Sequence, residues 1–282
     1  MKLLIEVFNK KHLFLEKVDG IILPLKDFSV ESNIYFSLEE IKKISEECSK
    51  EIFVKINKNL FNDDIEKIRS ILLDLNQMHI TGVFYYDLAI LELYQELHLD
   101  FDLVWNQTHM VNNYQTCNYY FSKGVGYALV GKELTLDEII EIIRKSKMQI
   151  MVEVVSKPSI AFSRRKLLTN YGKDIQKNVS SPMVVSERVG GKFIQLWEDK
   201  NGTSFFLDTV MNGTGVIKDL FDANCSYILI KEWGIEDDFE ELVCDTKDYI
   251  MGNCCDISYV EKYQKLGNYT NFFFQKTIYR VK

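Results

Sequence analysis

The chain has 282 residues, of which 46% are apolar and 27% charged, and its formal net charge at pH 7 is -7. These values exclude an intrinsically disordered chain and place the protein among soluble globular proteins. The acidic balance also argues against attraction of the whole surface to nucleic acid or to anionic membranes, so contact with a polyanion requires a local basic patch.

No apolar run reaches the roughly 18 residues that a membrane-spanning helix needs. The N-terminal segment MKLLIEVFNKK meets Asn9 and two lysines before an apolar signal-peptide core forms. We therefore expect a cytoplasmic protein that makes no contact with a membrane.

Short runs rich in β-branched and aromatic residues recur along the chain and predict eight strands. They cover residues 3–8, 20–25, 51–56, 82–87, 102–107, 127–131, 149–155 and 227–232. Each run is continuously apolar rather than alternating, which is typical of parallel strands covered on both faces.

Helices are predicted between most of these strands. Ser37 with Glu40, and Thr135 with Glu138, form the S/T-x-x-E capping box that begins a helix. A third helix begins at residues 62–64, where acidic residues suit the first turn. Further helices are predicted at 88–97, 112–122, 214–224 and 237–250.

A strand followed by a helix, repeated to a count of eight, favours an α/β fold of the (β/α)8 TIM-like barrel type. The predicted barrel covers residues 1–250 and includes an insertion at 156–208 after the seventh strand. Within the insertion, Asn201-Gly202 predicts the turn of a β-hairpin over 193–208. Residues 251–282 are predicted to form a short C-terminal appendix packed on the barrel.

The insertion begins with the basic stretch KPSIAFSRRKLLTNYGKDIQKN, residues 157–178. One interpretation is a binding site for an anion, in which Arg164 or Arg165 binds a phosphate or carboxylate and Tyr171 offers an aromatic face to a base or ring. Asn170 is a further candidate substrate-binding residue. The other is an amphipathic segment that covers the barrel with Ile160, Phe162, Leu167 and Leu168 and turns its charges to water. The two interpretations stay open at this point.

Polar residues at the carboxyl ends of the predicted strands point to the mouth of a barrel, where active sites of this fold lie. Three glutamates, Glu133, Glu153 and Glu232, are candidates to converge as acid/base groups or as an oxygen-rich cation site. The candidate substrate-binding residues there are Asn57, Asn106, Gln107 and Lys132. In the alternative interpretation, Lys132 pairs with Glu133 and Lys231 with Glu232, and the polar ring is only structural.

Motifs with a strong chemical signature are absent: the sequence contains no phosphate-binding P-loop, no H-E-x-x-H and no G-x-S-x-G. The six cysteines are scattered without C-x-x-C spacing, so we expect buried thiols and no metal site. His109 follows the fifth strand and is interpreted as a solvated loop residue.

In their order, several segments resemble those of the peptidase U32 family, also called collagenase-like proteases, over nearly the whole chain. They are FVKINKNLF (53–61), YYDLAIL (85–91), WNQTHMVNNYQTCNYY (105–120), LVGKELTLDEI (129–139), SIAFSRRKLLTNYGKD (159–174) and FLDTVMNGTGVIKDLFDANC (206–225). The resemblance implies a barrel fold and a peptidase name.

The chain also departs from the family signature. Where the family carries its first two cysteines, this sequence has Ser159 and Lys166, and the following pair is replaced around Ser180 and Met183. In members linked to hydroxylation those cysteines are thought to hold an iron-sulfur cluster, which requires thiolate ligands. The resemblance therefore implies that this chain carries no cluster and lacks the thiol of a cysteine peptidase.

Short members of the family accompany a longer, cysteine-bearing paralogue and are linked with it to prephenate-dependent hydroxylation of the tRNA wobble uridine. By this resemblance we expect a cluster-free subunit of a heteromer, with prephenate as co-substrate of the complex and the basic loop 157–177 contacting tRNA or a small carboxylate. A collagenase-like peptidase and a non-catalytic binding or scaffold barrel are the alternatives.

Overall fold

The computed structural model describes residues 1–107, 109–186, 193–207 and 209–267. The strands are β1 Lys2–Glu6, β2 Gly20–Pro24, β3 Glu51–Ile56, β4 Gly82–Tyr85, β5 Asp102–Trp105, β6 Tyr127–Leu129, β7 Gln149–Ser156, β8 Ser159–Ser163, β9 Met183–Ser186, β10 Phe193–Asp199, β11 Gly202–Leu207, β12 Met211–Asn212 and β13 Tyr227–Ile230. Each of the eight predicted strands is present.

Eight of these strands form a closed parallel barrel. Strands β1 to β7 pair with their neighbours in chain order, β7 pairs with β13, and β13 returns to β1. The short β12 adds to β7 in the antiparallel direction. The prediction of a (β/α)8 barrel is confirmed.

The helices are α1 Leu38–Glu47, α2 Ile65–Asn76, α3 Leu88–Leu97, α4 Tyr114–Phe121, α5 Leu136–Lys145, α6 Leu167–Asp174, α7 Ile217–Asp222, α8 Phe239–Ile250 and α9 Asp256–Tyr263. Both capping boxes are formed, at Ser37 and at Thr135. The predicted helix at 214–224 is shorter, because a 3-10 turn occupies Thr214–Val216 before α7. None of the described helices is long and apolar enough to cross a membrane.

The barrel interior is filled by one set of alternate residues from each strand. Leu4, Phe53, Met151 and Leu229 belong to this inner cluster, and the rings of Phe53 and Phe84 meet edge to face at 5.6 Å. Because side chains in a strand repeat with a period of two, the residue two positions later again faces inward. Those later positions, at the carboxyl ends, are where the polar residues lie.

The insertion folds into a four-stranded antiparallel sheet in the order β8-β11-β10-β9, with α6 beside it. The predicted hairpin is confirmed as β10 and β11. Its turn ends at Gly202, where φ is +147° and an added Cβ would lie 2.2 Å from the carbonyl oxygen of Ser163. Only glycine fits this close approach of two backbones.

The insertion is held against the barrel by polar and aromatic contacts. Tyr35 donates to Asp199 at 2.8 Å, and Asn201 Nδ2 donates to the carbonyl of Ser29 at 3.1 Å. Trp233, just after the last barrel strand, packs against Phe206 of β11 with ring centroids 4.3 Å apart. These contacts fix the insertion over the carboxyl end of the barrel.

After the barrel, α9 packs on α8: the Tyr259 and Tyr249 rings stack at 4.5 Å, and the hydroxyls of Tyr259 and Thr246 are 2.7 Å apart. The rest of the predicted appendix, residues 268–282, lies outside the described residues. Its packing, and with it the predicted domain boundary, stays a prediction.

Candidate functional site

A cavity of about 170 Å³ opens at the carboxyl end of the barrel, between the strand ends and β8 of the insertion. Its polar lining includes Lys55, Lys132, Lys231 and Glu153. The side chains that line it are Val30, Glu31, Lys55, Asn57, Asn59, Tyr86, Asn106, His109, Lys132, Glu153, Ser159, Ile160, Ala161, Phe162 and Lys231. Since they come from several strands and the insertion, this site exists only in the closed fold.

Glu153 is the buried anion of this cavity, and two lysines hold it. Lys132 Nζ lies 2.6 Å from Oε1 of Glu153, and Lys231 Nζ lies 2.9 Å from Oε2. The hydroxyl of Ser156, three residues further along β7, also donates a hydrogen bond to Oε1 of Glu153. The Glu153 side chain is 1% exposed, so its charge is compensated by these partners rather than by water.

A second buried pair continues the charge chain across the barrel. Lys55 donates to Glu6 and also to the Ser32 hydroxyl at 2.9 Å, and Ser32 in turn donates to Glu6. Lys231 lies 3.5 Å from the second oxygen of Glu6 and thereby links the two glutamates. The order Lys132, Glu153, Lys231, Glu6, Lys55 alternates in sign from one end to the other.

The pKa values of these groups follow from burial and from this alternation. Burial raises the pKa of Glu153, but Lys132 and Lys231 lower it by more, so it lies far below its usual range. For Lys231, burial lowers the pKa, whereas Glu153 and Glu6 raise it by more, and the net shift is upward. Both groups are therefore charged at neutral pH, and Glu153 is a weak proton acceptor.

Burial and the neighbouring opposite charge also act against each other on the pKa values of Glu6 and Lys55. Burial raises the pKa of Glu6, but Lys55 and Lys231 outweigh it, and the pKa is lowered. Burial lowers the pKa of Lys55 and the charge of Lys231 lowers it further, so the net shift is downward although Glu6 raises it. Desolvation is thus the larger influence on the lysine, which is the more deeply buried cation of the cluster.

Four of the residues predicted from the sequence meet in the cavity: Asn57, Asn106, Lys132 and Glu153. Asn57 accepts a hydrogen bond from the Val30 backbone N–H at 2.9 Å, so its amide nitrogen remains available as a donor. The expectation that these strand ends meet at one mouth agrees with their positions.

The three candidate glutamates do not converge. Glu133 is 64% exposed and lies 3.8 Å from His109 at the rim, whereas Glu232 lies 3.4 Å from the buried His12. Burial raises the pKa of Glu232, and the negative charge of Glu236 raises it further. Consecutive residues at a strand end face opposite sides, which separates Glu232 from the inward Lys231.

Within the described residues, the structure also lacks the two ion pairs that the alternative interpretation expected, Lys132 with Glu133 and Lys231 with Glu232. Lys132 pairs with Glu153, and Lys231 pairs with Glu153 and Glu6. A lysine reaches an inward carboxylate on the adjoining strand more readily than the outward carboxylate next to it in sequence.

The remaining predicted residues lie outside the cavity. Gln107 accepts from Trp105 Nε1 at 3.0 Å and donates to the carbonyl of Tyr86, so both of its polar groups are used in the loop. Arg165, Asn170 and Tyr171 are exposed on the outer surface of the insertion. Arg164 is also exposed, and its guanidinium lies 3.6 Å from the centroid of the Phe61 ring.

The covering interpretation of the basic stretch holds in part, and the anion-binding interpretation stays a prediction. Leu168 is buried and Phe162 lines the cavity, as the covering interpretation expects, but Ile160 is 41% exposed. The arginines face solvent next to the mouth, where an anionic partner has access to them.

The thiols are not at the cavity. Burial raises the pKa of Cys117 to about 11 and that of Cys225 to about 12, so neither is a ready nucleophile. At the positions of the family's cysteines, Ser159 donates a hydrogen bond to Glu31 and Lys166 precedes α6. A hydroxyl and an ammonium do not replace the thiolates that an iron-sulfur cluster requires, so these residues do not fit that cofactor.

Sequence reasoning missed Glu6, Lys55 and Ser32, and it gave Lys231 no binding role. A signal for two of them was present: Glu6 and Lys55 are charged residues that directly follow the apolar runs of β1 and β3. A charge buried in such a strand requires a partner, and the period of two places both residues on the inner face.

Comparison with known proteins gives the family. Residues 8–231 match the profile described as Peptidase family U32. The chain is 27% identical to tRNA hydroxylation protein P2 of Bacillus subtilis over 86% of this chain and 87% of that protein. It is also 27% identical to the uncharacterized protease MJ0090 of Methanocaldococcus jannaschii, over 54% of this chain and 39% of that protein.

Among solved structures, the U32 peptidase Mk0906 superposes with a TM-score of 0.51 at 14% identity, covering 82% of this chain and 92% of that one. At this identity the likeness supports the barrel fold alone. The profile match covers most of the sequence, from just after β1 to just past the end of β13. The chain therefore belongs to peptidase family U32.

Proposed function

We propose that this protein is a cluster-free subunit that acts with a longer, cysteine-bearing U32 paralogue in the prephenate-dependent hydroxylation of the tRNA wobble uridine. The similarity to tRNA hydroxylation protein P2, which extends over most of both chains, supports a role in this kind of RNA modification. The absence of thiols at the family's cysteine positions supports a division of labour, in which the paralogue supplies the iron-sulfur cluster.

The observation that carries the RNA assignment is the basic outer surface of the insertion. Arg165, Lys166, Lys173 and Lys177 are exposed, and within the described parts of the chain none of them forms an ion pair. Their charges are not neutralised by the protein, although the whole chain is acidic. Such a patch favours a phosphate backbone, whose contacts release counterions and depend steeply on salt.

Aromatic groups lie beside these cations. Phe61 is 53% exposed under the Arg164 guanidinium, and Tyr171 on α6 is 48% exposed. Unstacked bases of single-stranded RNA loops bind to aromatic faces and to arginine planes, so the surface suits an anticodon loop better than a duplex.

Binding of a tRNA anticodon stem-loop, measured by fluorescence anisotropy over a salt series, tests this surface. The double variant Arg165→Ala/Lys166→Ala is expected to weaken binding and to reduce the slope of log K against log salt by about 0.7 per lost phosphate contact. Lys147→Ala is the matched control, because this exposed lysine follows α5 at the opposite end of the barrel. Equal affinity and slope in all three proteins would remove the RNA contact from the proposal.

The partner is tested separately. The chain and the longer paralogue are co-expressed without oxygen and purified through a tag on this chain. We expect a stable complex in which iron and labile sulfide belong to the paralogue. Recovery of this chain alone, or iron bound to the isolated chain, would contradict the proposed division of labour.

A hydrolase is the second candidate, because the family and the archaeal relative both carry peptidase names. Incubation of the purified protein with gelatin, with and without divalent metals, addresses it. Cleavage that is lost in a Glu153→Gln variant would favour the hydrolase over the RNA-modification subunit.

A further inference from the structure

Two lysines at the barrel mouth have N–H donors that no described residue accepts. A lysine ammonium carries three N–H donors. Those of Lys55 meet Glu6, Ser32 and, at 3.4 Å, the carbonyl of Glu31. Lys132, in contrast, meets only Glu153 among the described residues, and Lys231 meets Glu153 and Glu6.

Three N–H donors are therefore left over, two on Lys132 and one on Lys231. Both side chains line the cavity, and they are 18% and 20% exposed, so the free donors are accessible from it. Asn57 adds a neutral amide donor at the same wall. A ligand that fits this site has to supply acceptor atoms, and charged donors favour an anionic acceptor.

The charges favour an anion with a single negative charge. Three lysines and two glutamates form the buried chain, whose net charge is +1. Glu31 also lines the cavity, and its carboxylate, which accepts from Ser159 on the insertion, balances that charge. A dianionic phosphate would therefore bring more uncompensated negative charge into the site than one carboxylate does.

The volume of the cavity and the apolar part of its lining indicate what the rest of the ligand should be. The volume is about 170 Å³, and a cavity of about 150 Å³ is known to hold a benzene molecule. Ile160 and Phe162 of β8 and Tyr86 after β4 contribute apolar surface to the lining. A ring-sized apolar body with one acidic end would contact this surface and the lysines at once.

We propose that Lys132 and Lys231, bridged by Glu153, bind the carboxylate of a small ring-containing monocarboxylic acid whose apolar body packs against Ile160 and Phe162. Glu153 acts here as a positioning residue, because its two oxygens lie 2.6 Å from the Lys132 ammonium and 2.9 Å from the Lys231 ammonium and hold both at one wall. This site is independent of the basic outer surface, and it remains if the chain binds no RNA.

Isothermal titration calorimetry of the purified full chain tests the site with paired probes: benzoate against benzamide, and 3-phenylpropionate against 3-phenylpropionamide. We expect at least one acid to bind with a Kd in the millimolar range or tighter, and its amide to bind at least about tenfold more weakly, because the amide lacks the charge. Inorganic phosphate is titrated in parallel.

Lys132→Gln is expected to weaken binding of the acid by about tenfold or more, whereas Lys132→Arg keeps most of the affinity. Lys147→Gln, at the far end of the barrel, should not change it. The comparison of acid with amide uses the unaltered protein, so the test stands even if a variant is unstable.

Three results would overturn the proposal. They are the absence of heat for both acids at millimolar concentration, equal affinity of acid and amide, and tighter binding of phosphate than of either acid. None of these results bears on the RNA surface, so failure of this site and failure of the proposed function are distinguishable.

Discussion

Lys55 of β3 and Glu6 of β1 form an ion pair inside the barrel, with side chains only 4% and 1% exposed. The two strands are not neighbours, because β2 lies between them. The pair therefore crosses the carboxyl end of the barrel above β2 and joins Lys231 and Glu153 on the other side. These contacts hold the charged floor of the cavity in place before any ligand binds.

Removal of one partner of this pair should destabilise the fold by far more than the intact pair stabilises it. Glu6→Ala leaves the Lys55 ammonium buried without its carboxylate, and loss of one partner of such a pair typically costs about 3–5 kcal/mol. We expect the free energy of unfolding, measured with urea, to fall by an amount in that range.

Two further variants separate the lone charge from the lost packing. Glu6→Met/Lys55→Met removes both charges and should recover much of the loss, since apolar replacements of buried pairs are often neutral. Lys145→Ala removes an exposed pair with Glu141 on α5 and should leave the stability unchanged within error. A double variant as unstable as Glu6→Ala would contradict this explanation.

The pH dependence of stability should report the ion pairs of Glu153. Its pKa is lowered in the folded state, so the folded protein loses this proton more readily than the unfolded chain does. The stabilisation is therefore complete above the ordinary value of 4.5 and declines as the pH falls below it toward the folded pKa.

Glu153→Gln removes this contribution. The difference in the free energy of unfolding between the unaltered protein and the variant should be constant from pH 7 down to about pH 5.5 and should shrink below about pH 4.5. Glu133→Gln, at an exposed side chain, is the matched control for replacing a glutamate near the mouth. A difference that grows on acidification would contradict the direction of the shift.

Glu198 of β10 should stabilise the first turn of α6, although the two are distant in sequence. Its carboxylate accepts from the backbone N–H groups of Leu168 at 2.7 Å and Thr169 at 3.1 Å, and from the Thr203 hydroxyl at 3.0 Å. Free N–H groups at a helix N-terminus are satisfied by such a cap, which contributes about 1 kcal/mol.

Glu198→Ala should therefore increase hydrogen exchange of the amides in α6 without a comparable change in the barrel strands. Glu198→Gln retains one acceptor oxygen and should show a smaller increase. Hydrogen exchange resolved by peptide measures both. Uniform protection of α6 in the alanine variant would show that the helix does not depend on this cap.

The fold was predictable because its signals are local. Continuous apolar strands, the capping boxes at Ser37 and Thr135, and the Asn201-Gly202 turn each act over a few residues, and all agree with the structure. The count of eight strands then leaves the closed barrel as the economical arrangement.

The site was predictable only in part, because its pairings join distant strands. Asn57, Asn106, Lys132 and Glu153 follow from their positions near strand ends, but the partner of Lys132 depends on which side of each strand faces inward. Glu6 and Lys55 lie two positions after the inner residues Leu4 and Phe53, so they also face inward. Glu232 diverges from Glu153 by the same period, because it follows the inward Lys231, whereas Glu133 lies in the loop beyond the end of β6.

The central claim is that this chain is required for hydroxylation of the tRNA wobble uridine, and nucleoside mass spectrometry of tRNA from a deletion strain tests it most directly. We predict that 5-hydroxyuridine-derived nucleosides are lost on deletion, return with the intact gene, and stay low with Arg165→Ala/Lys166→Ala but not with Lys147→Ala. Unchanged levels of these nucleosides in the deletion strain, with the paralogue present, would contradict the claim.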